Sequence, residues 1–168
     1  MREFLIEHYS ILTKSAEIIA AMTGLVIYGK YKNTPARYFI FFLVYIAFLE
    51  TTGSYVRFVR ADKFLHFLMG TLIEANYWMY TLGWKIAAIV FFSFYYYKIL
   101  RSTRLKMILK YVGWAYLVFS VIFIVINWKD FFHMSFPTLS ILGAVVIFTC
   151  CTFYFVELMQ SEKNTLFL

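Results

Sequence analysis

"ILKYVGWAYLVFSVIFIVIN", from Ile108 to Asn127, is the stretch of sequence that decides the fold. After Lys110 it contains no charged residue, and nearly all of its side chains are apolar or aromatic. A helix rises about 1.5 Å per residue, so about 20 such residues cross a hydrocarbon core of about 30 Å. The stretch therefore predicts a transmembrane helix.

The composition of the whole chain agrees with this prediction. Of its 168 residues, 62% are hydrophobic, 23% are aromatic and 15% are charged. A soluble domain of this size carries about a quarter charged residues. With 2 prolines and 7 glycines, the chain has little material for long loops. We expect an all-α membrane protein that forms one domain over 1–168.

Five segments are long and apolar enough to predict a polytopic bundle of about five membrane-spanning helices. They cover about 8–28, 36–57, 76–97, 108–127 and 137–158. Thr34 before Pro35, and Ser135 shortly before Pro137, are typical helix-start signals. The stretch "RADKFLHFLMGTLI" (60–73) is left open between an interfacial amphipathic helix and an outward extension of the third span.

The basic residues indicate the orientation of the helices. The first and third connectors hold eight of them, namely Lys30, Lys32, Arg37, Lys98, Arg101, Arg104, Lys106 and Lys110. The opposite side holds five, namely Arg2, Arg57, Arg60, Lys63 and Lys129. Basic loops stay in the cytoplasm, so the N-terminus is expected outside and the C-terminus inside a bacterial inner membrane. This clustering in connectors explains the +7 net charge without a nucleic-acid partner.

Charged residues inside the predicted spans indicate a polar interior. In "EANYWMYTLGWK" (74–85) an α-helix would place Glu74, Trp78, Thr81 and Lys85 on one face. Lys14 and Glu17 in the first span and Glu50 in the second span form similar polar faces. Beside the first face lies a ridge of the small residues Ala16, Ala20 and Gly24.

An isolated charge in the membrane costs several kcal/mol, so these groups are expected to pair. Glu17, Glu50 and Lys85 fall at similar depth, which predicts an ion pair between Lys85 and Glu17 or Glu50. Two interpretations remain open at this point. The network either fixes helix register alone or lines an outward cavity or ion pathway, with aromatic walls formed by Tyr55, Tyr77, Trp78, Tyr80 and Trp84.

Other chemistry has weaker support. His8, His66 and His133 are weak candidates for metal ligands, because they lie on separate segments without ligand spacing. The adjacent Cys150 and Cys151 are interpreted as small apolar helix residues. The sequence contains no Walker loop, GxSxG or HExxH motif, and it predicts neither an enzyme nor a cofactor.

Basic residues in "KILRSTRLKMILK" form a predicted cytoplasmic surface. Its members are Lys98, Arg101, Arg104, Lys106 and Lys110. They could bind a partner protein or anionic lipid, although setting topology alone would also explain them.

"YKNTPARYFIFFLVYIAFLE", "EANYWMYTLGW" and "FFSFYYYKIL" resemble a group of uncharacterised multi-pass membrane proteins of flavobacteria and related bacteria. The resemblance covers most of the chain. It implies relatives with about two further helices, so this chain would end near its fifth span. It implies no activity.

The expectations for function follow from these features. The first is a non-enzymatic receptor-like sensor or accessory subunit of an inner-membrane complex, which acts with other subunits or by self-association. The alternative is a transporter, channel or proton-relay component that uses Glu17, Glu50 and Lys85.

Overall fold

The computed structural model describes the backbone of residues 2–60 and 62–166 and the side chains of residues 11–60 and 62–160. Every regular element in these ranges is a helix, and they contain no strand. The all-α prediction is therefore confirmed. The chain divides into two compact units, an N-terminal unit over Met1–Asn76 and a C-terminal unit over Tyr77–Leu168.

The N-terminal unit is built on two long helices. α1 covers Arg2–Tyr31, α2 covers Ala36–Gly53, and a 3-10 helix at Ser54–Phe58 continues α2. The turn between them is closed at Tyr31, whose carbonyl accepts hydrogen bonds from the backbone N–H and the hydroxyl of Thr34, both at 2.9 Å. These bonds satisfy a carbonyl that the end of a helix leaves without an intrahelical donor.

α1 and α2 approach closely at Gly24. A Cβ atom added there would lie 3.2 Å from Cγ2 of Ile40, so the missing side chain is what lets the helices meet. Along the predicted ridge of small residues, Gly24 is buried, Ala20 is half-buried and Ala16 is exposed. The ridge therefore packs most closely at its Gly24 end.

Residues 59–60 and 62–76, which lead to the C-terminal unit, form turns with one short 3-10 helix at His66–Leu68. In the described part of 60–73 the structure shows neither the interfacial helix nor the extended span that the sequence left open. This segment folds back onto the end of α2 through side-chain hydrogen bonds. The Tyr55 hydroxyl binds the carbonyls of Ile73 and Ala75 at 2.6 and 3.0 Å, and Nδ2 of Asn76 binds the Gly53 carbonyl at 2.8 Å.

The C-terminal unit contains the remaining helices. A continuous helical stretch consists of α3 at Tyr77–Tyr80, a π-helix at Thr81–Ala87 and α4 at Ala88–Ile99. α5 covers Thr103–Ile126 and α6 covers Pro137–Leu166. Pro137 is the first residue of α6, where its missing N–H breaks no helical hydrogen bond.

The core of the C-terminal unit has two clusters of buried side chains. One contains Ile89, Leu100, Leu109, Tyr116, Val146 and Cys150, and the other contains Ile86, Ile124, Phe131, Phe136 and Leu139. Cys150 is fully buried and, like Cys151, forms no disulfide. Both cysteines therefore behave as the helix residues that the sequence predicts.

Four helices are long and apolar enough to cross a membrane, namely Ile11–Tyr31, Ala36–Phe58, Thr103–Ile126 and Pro137–Gln160. They match four of the five predicted spans. Many of their large apolar side chains, such as Val26 and Phe148, are exposed, as lipid-facing residues are. The predicted third span is helical from Tyr77 to Ile99, but Lys85, Lys98 and its tyrosines make it less apolar, and its crossing stays a prediction.

Candidate functional site

The N-terminal unit brings together three of the predicted polar residues. The Lys14 ammonium on α1 donates a hydrogen bond to Oγ of Ser54, which follows α2. The Ser54 hydroxyl in turn donates to the Glu50 carbonyl at 2.8 Å. Glu17 lies one turn after Lys14, and its carboxylate is close enough to interact electrostatically with the carboxylate of Glu50 and with the ammonium of Lys14. We call Lys14, Glu17, Glu50 and Ser54 the acidic cluster.

One oxygen of the acidic cluster lacks a hydrogen bond. Oε2 of Glu17 is buried and has no hydrogen-bond partner within the described residues. A buried polar atom without a partner costs free energy, and a carboxyl group in a membrane helix has little water available to replace the partner. The Glu17 carboxylate can therefore accept a hydrogen bond from a further donor or bind a proton.

The C-terminal unit holds Lys85 at the start of α6. Nζ of Lys85 donates to Oγ of Ser135 at 2.6 Å and to the carbonyl of Phe136 at 2.9 Å. Both oxygens immediately precede Pro137, the first residue of α6. The ammonium of Lys85 therefore ties the π-helix to the beginning of α6, within one unit.

The π-helix changes which groups meet around Lys85. A π-helix closes its hydrogen bonds over one more residue than an α-helix, so its turns are wider and its carbonyls are offset. The Lys85 carbonyl accepts a hydrogen bond from the Tyr116 hydroxyl on α5, which also binds the Leu139 carbonyl at 3.2 Å. The backbone and side chain of Lys85 thus contact α5 and the start of α6 respectively.

The predicted polar stripe from Glu74 to Lys85 is interrupted in two ways. Glu74 precedes the helix, and its Oε2 accepts the backbone N–H of Gly70 at 2.8 Å, which closes a turn where Gly70 has φ of 75°. Thr81 and Lys85 both lie in the π-helix, where residues four positions apart no longer lie on one helix face as they would in an α-helix. Thr81 is buried, and Trp78 packs on the core cluster that contains Ile86.

The ion pair predicted between Lys85 and Glu17 or Glu50 would join the two units, and it stays a prediction. The contacts that are described for Lys85 lie in the C-terminal unit, and those described for Glu17 lie in the N-terminal unit. Each unit thus has its own polar site.

The histidines do not form a metal site within the described residues, where no group of three His, Cys, Asp or Glu side chains converges. His66 and His133 are exposed, and Nδ1 of His66 lies 3.2 Å from the Lys63 carbonyl. The side chain of His8 lies outside the described residues.

The predicted basic surface is gathered on the hairpin formed by the end of α4, residues 100–102 and the first turns of α5. Lys98, Arg101, Arg104 and Lys110 are exposed, and Lys106 is half-buried. Nζ of Lys106 lies 5.9 Å from the Tyr97 ring centroid, and Nζ of Lys98 lies 5.4 Å from that of Phe94.

Sequence reasoning missed Glu157 and Tyr116, and it gave Ser135 only a role at the start of a helix. The Glu157 carboxylate accepts the backbone N–H groups of Arg101 and Ser102 at 2.6 and 3.0 Å, just before α5 begins. A carboxylate there satisfies free N–H groups and complements the helix dipole. As a single acidic residue near the end of an apolar helix, Glu157 could have been recognised from the sequence as a candidate polar contact. Tyr116 could not, because nothing in the sequence distinguishes it from the many aromatic residues around it.

Comparison of the chain with models of protein families, with curated proteins and with solved structures gave no match.

Proposed function

We propose that this protein is a non-enzymatic integral membrane protein of the bacterial inner membrane. It works through other membrane subunits, as a receptor-like sensor or as an accessory subunit of a complex. It crosses the membrane five times, with Tyr77–Ile99 as the third span, its N-terminus outside and its C-terminus in the cytoplasm.

The observation that carries this proposal is the way Lys85 is bound. Its ammonium is hydrogen-bonded to Ser135 and to the Phe136 carbonyl in its own unit. A charge held by the oxygens that precede a helix fixes the position of that helix. Such a role suits a protein that presents defined helix faces to other subunits, whereas a transported ion requires groups that exchange partners.

Co-purification tests this function. The full-length protein is purified from its native membranes in a mild detergent, and accompanying proteins are quantified by mass spectrometry. We expect stoichiometric membrane partners, and we expect Lys85→Met to reduce their recovery while Lys129→Met, an exposed loop control, leaves it unchanged. Recovery of the wild-type protein alone, without partners, would contradict the proposal.

A second function has a specific observation in its favour. The unpartnered Oε2 of Glu17 beside Glu50 suits a proton-relay component, in which the acidic cluster binds and releases protons. Proton flux into liposomes that contain the purified protein tests this alternative. Flux that Glu17→Gln and Glu50→Gln each abolish, with assembly preserved, would replace the first function by the second.

A further inference from the structure

A cavity of about 390 Å³ lies between α4 and α5 in the C-terminal unit. Val90, Ser93, Phe94 and Tyr97 line it from α4, at the spacing of one helix face, and Leu109, Lys110, Gly113, Trp114 and Leu117 line it from α5. Pockets of this volume hold small organic ligands. Its walls are almost entirely apolar, which favours a hydrocarbon chain as the occupant.

The cavity has a polar end and an apolar end. Tyr97 and Lys110 lie towards the hairpin of residues 100–102, and Val90 and Leu117 lie deeper along the helices. From Lys110 to Leu117 the helix rises about 10 Å at about 1.5 Å per residue. The cavity thus runs along the two helices, from the basic hairpin into the hydrocarbon region.

Three lysines lie at the polar end of the cavity or next to the aromatic rings that line it. Lys110 lines the cavity, while Lys98 and Lys106 lie over the rings of Phe94 and Tyr97, which line it too. Within residues 11–60 and 62–160 none of the three forms an ion pair, and the nearby Glu157 carboxylate is bound to backbone N–H groups. Lys98 and Lys106 lie near the same Tyr97 ring, and Lys110 lines the cavity beside it, so an anionic group at this end would be attracted by several basic side chains.

We propose that this cavity is a binding site for an anionic phospholipid. One acyl chain lies in the cavity alongside the close contact of Ser93 with Gly113, against Val90, Phe94 and Leu117, and the phosphate group binds Lys98, Lys106 and Lys110. The membrane supplies such a ligand in the orientation required, since its headgroups lie at the level of the basic hairpin. This site is separate from the acidic cluster and from Lys85, so it goes beyond the proposed function, and it rests on that proposal only in that α4 lies within the membrane.

Native mass spectrometry of the full-length protein tests the headgroup part. The protein is equilibrated with phosphatidylglycerol or phosphatidylcholine of identical acyl chains, and the retained lipid is counted. We expect retention of phosphatidylglycerol over phosphatidylcholine. Changing Lys98, Lys106 or Lys110 singly to Gln should lower the preference for phosphatidylglycerol over phosphatidylcholine about fivefold. This factor corresponds to about 1 kcal/mol of binding free energy. Lys129→Gln, outside the hairpin, should leave this preference unchanged.

Filling the cavity tests the acyl-chain part. Val90→Phe adds bulk inside the cavity, whereas Val118→Phe adds the same bulk on an exposed position of α5. We expect Val90→Phe to abolish retention of phosphatidylglycerol and Val118→Phe to preserve it. If Val90→Phe lowers the melting temperature strongly, Leu117→Phe provides the same test from the opposite wall.

Equal retention of the two lipids would overturn the proposal. So would an unchanged preference in the lysine variants, or equal retention of phosphatidylglycerol by the folded cavity-filling variants and by Val118→Phe. Inorganic phosphate should not raise the melting temperature as phosphatidylglycerol does, because it brings no acyl chain. An equal rise with phosphate alone would show a simple anion site and would overturn the assignment to a lipid.

Discussion

Lys85 is a charged residue in a helical stretch whose neighbouring residues are apolar, and two oxygens before α6 accept hydrogen bonds from its ammonium group. A charge in a membrane helix is stable only with such partners. At the scale of single residues, the polar contacts of this protein therefore have consequences that single substitutions can measure.

Replacing Lys85 by Met keeps most of the apolar stem and removes the ammonium. We expect the free energy of unfolding to fall by about 1–3 kcal/mol, because the Phe136 carbonyl and the Ser135 hydroxyl each lose a donor. The measurement is denaturant-induced unfolding in detergent micelles, with Lys129→Met as the exposed control. Equal stability of Lys85→Met and the wild type would show that these bonds contribute nothing.

Replacing Tyr116 by Phe removes one hydroxyl from the core. Its loss leaves the Lys85 and Leu139 carbonyls with one donor fewer, and we expect destabilisation of about 0.5–2 kcal/mol. Tyr111→Phe is a matched control on the same helix, since Tyr111 is exposed. Denaturant-induced unfolding in detergent micelles measures both variants. Equal free energies of unfolding for Tyr116→Phe and Tyr111→Phe would contradict the hydrogen bonds described for the Tyr116 hydroxyl.

At the scale of helices, close approach depends on glycine. A Cβ atom at Gly113 would lie 2.9 Å from Cβ of Ser93, which is next to the backbone of α4 and cannot rotate away. At Gly29 in α1 an added Cβ would meet nothing within 4 Å. The two positions therefore predict opposite effects of the same substitution.

Gly113→Ala should destabilise the protein, because α4 and α5 must separate to admit the methyl group. Gly29→Ala should be neutral or stabilising by up to about 1 kcal/mol, since alanine is the better helix former. Thermal unfolding of both variants in the same detergent measures the difference. A stabilising Gly113→Ala would mean that the helices are not in contact at this point.

The helices also show which features the sequence could predict. Long apolar runs specify their own helices, because backbone groups in a membrane must satisfy one another. The spacing of Lys14, Glu17 and Glu50 likewise predicted polar faces, and these residues do meet. The π-helix at Thr81–Ala87 was not predictable. Its wider turns are accompanied by tertiary contacts, such as the hydrogen bond from the Tyr116 hydroxyl to the Lys85 carbonyl, which the local sequence does not reveal. Glu74 was misplaced because the helix begins only at Tyr77.

At the scale of the whole chain, the crossing of the predicted third span is the point that most needs a measurement. Its helical stretch from Tyr77 to Ile99 is as long as its neighbours, but two lysines and several tyrosines reduce its apolar character. If it crosses the membrane, residues 59–76 and 100–102 lie on opposite sides. If it does not cross, they lie on the same side.

Chemical labelling of single cysteines tests this central point most directly. In a background with Cys150 and Cys151 replaced by Ala, one variant carries Thr71→Cys and another carries Thr103→Cys, both at exposed positions. A thiol reagent that does not cross membranes is applied to intact cells and then to opened membranes. We expect residue 71 to react in intact cells and residue 103 to react only after the membranes are opened. Labelling of both from the same side would contradict a membrane-spanning third helix and the account of Lys85 as a charge within the membrane.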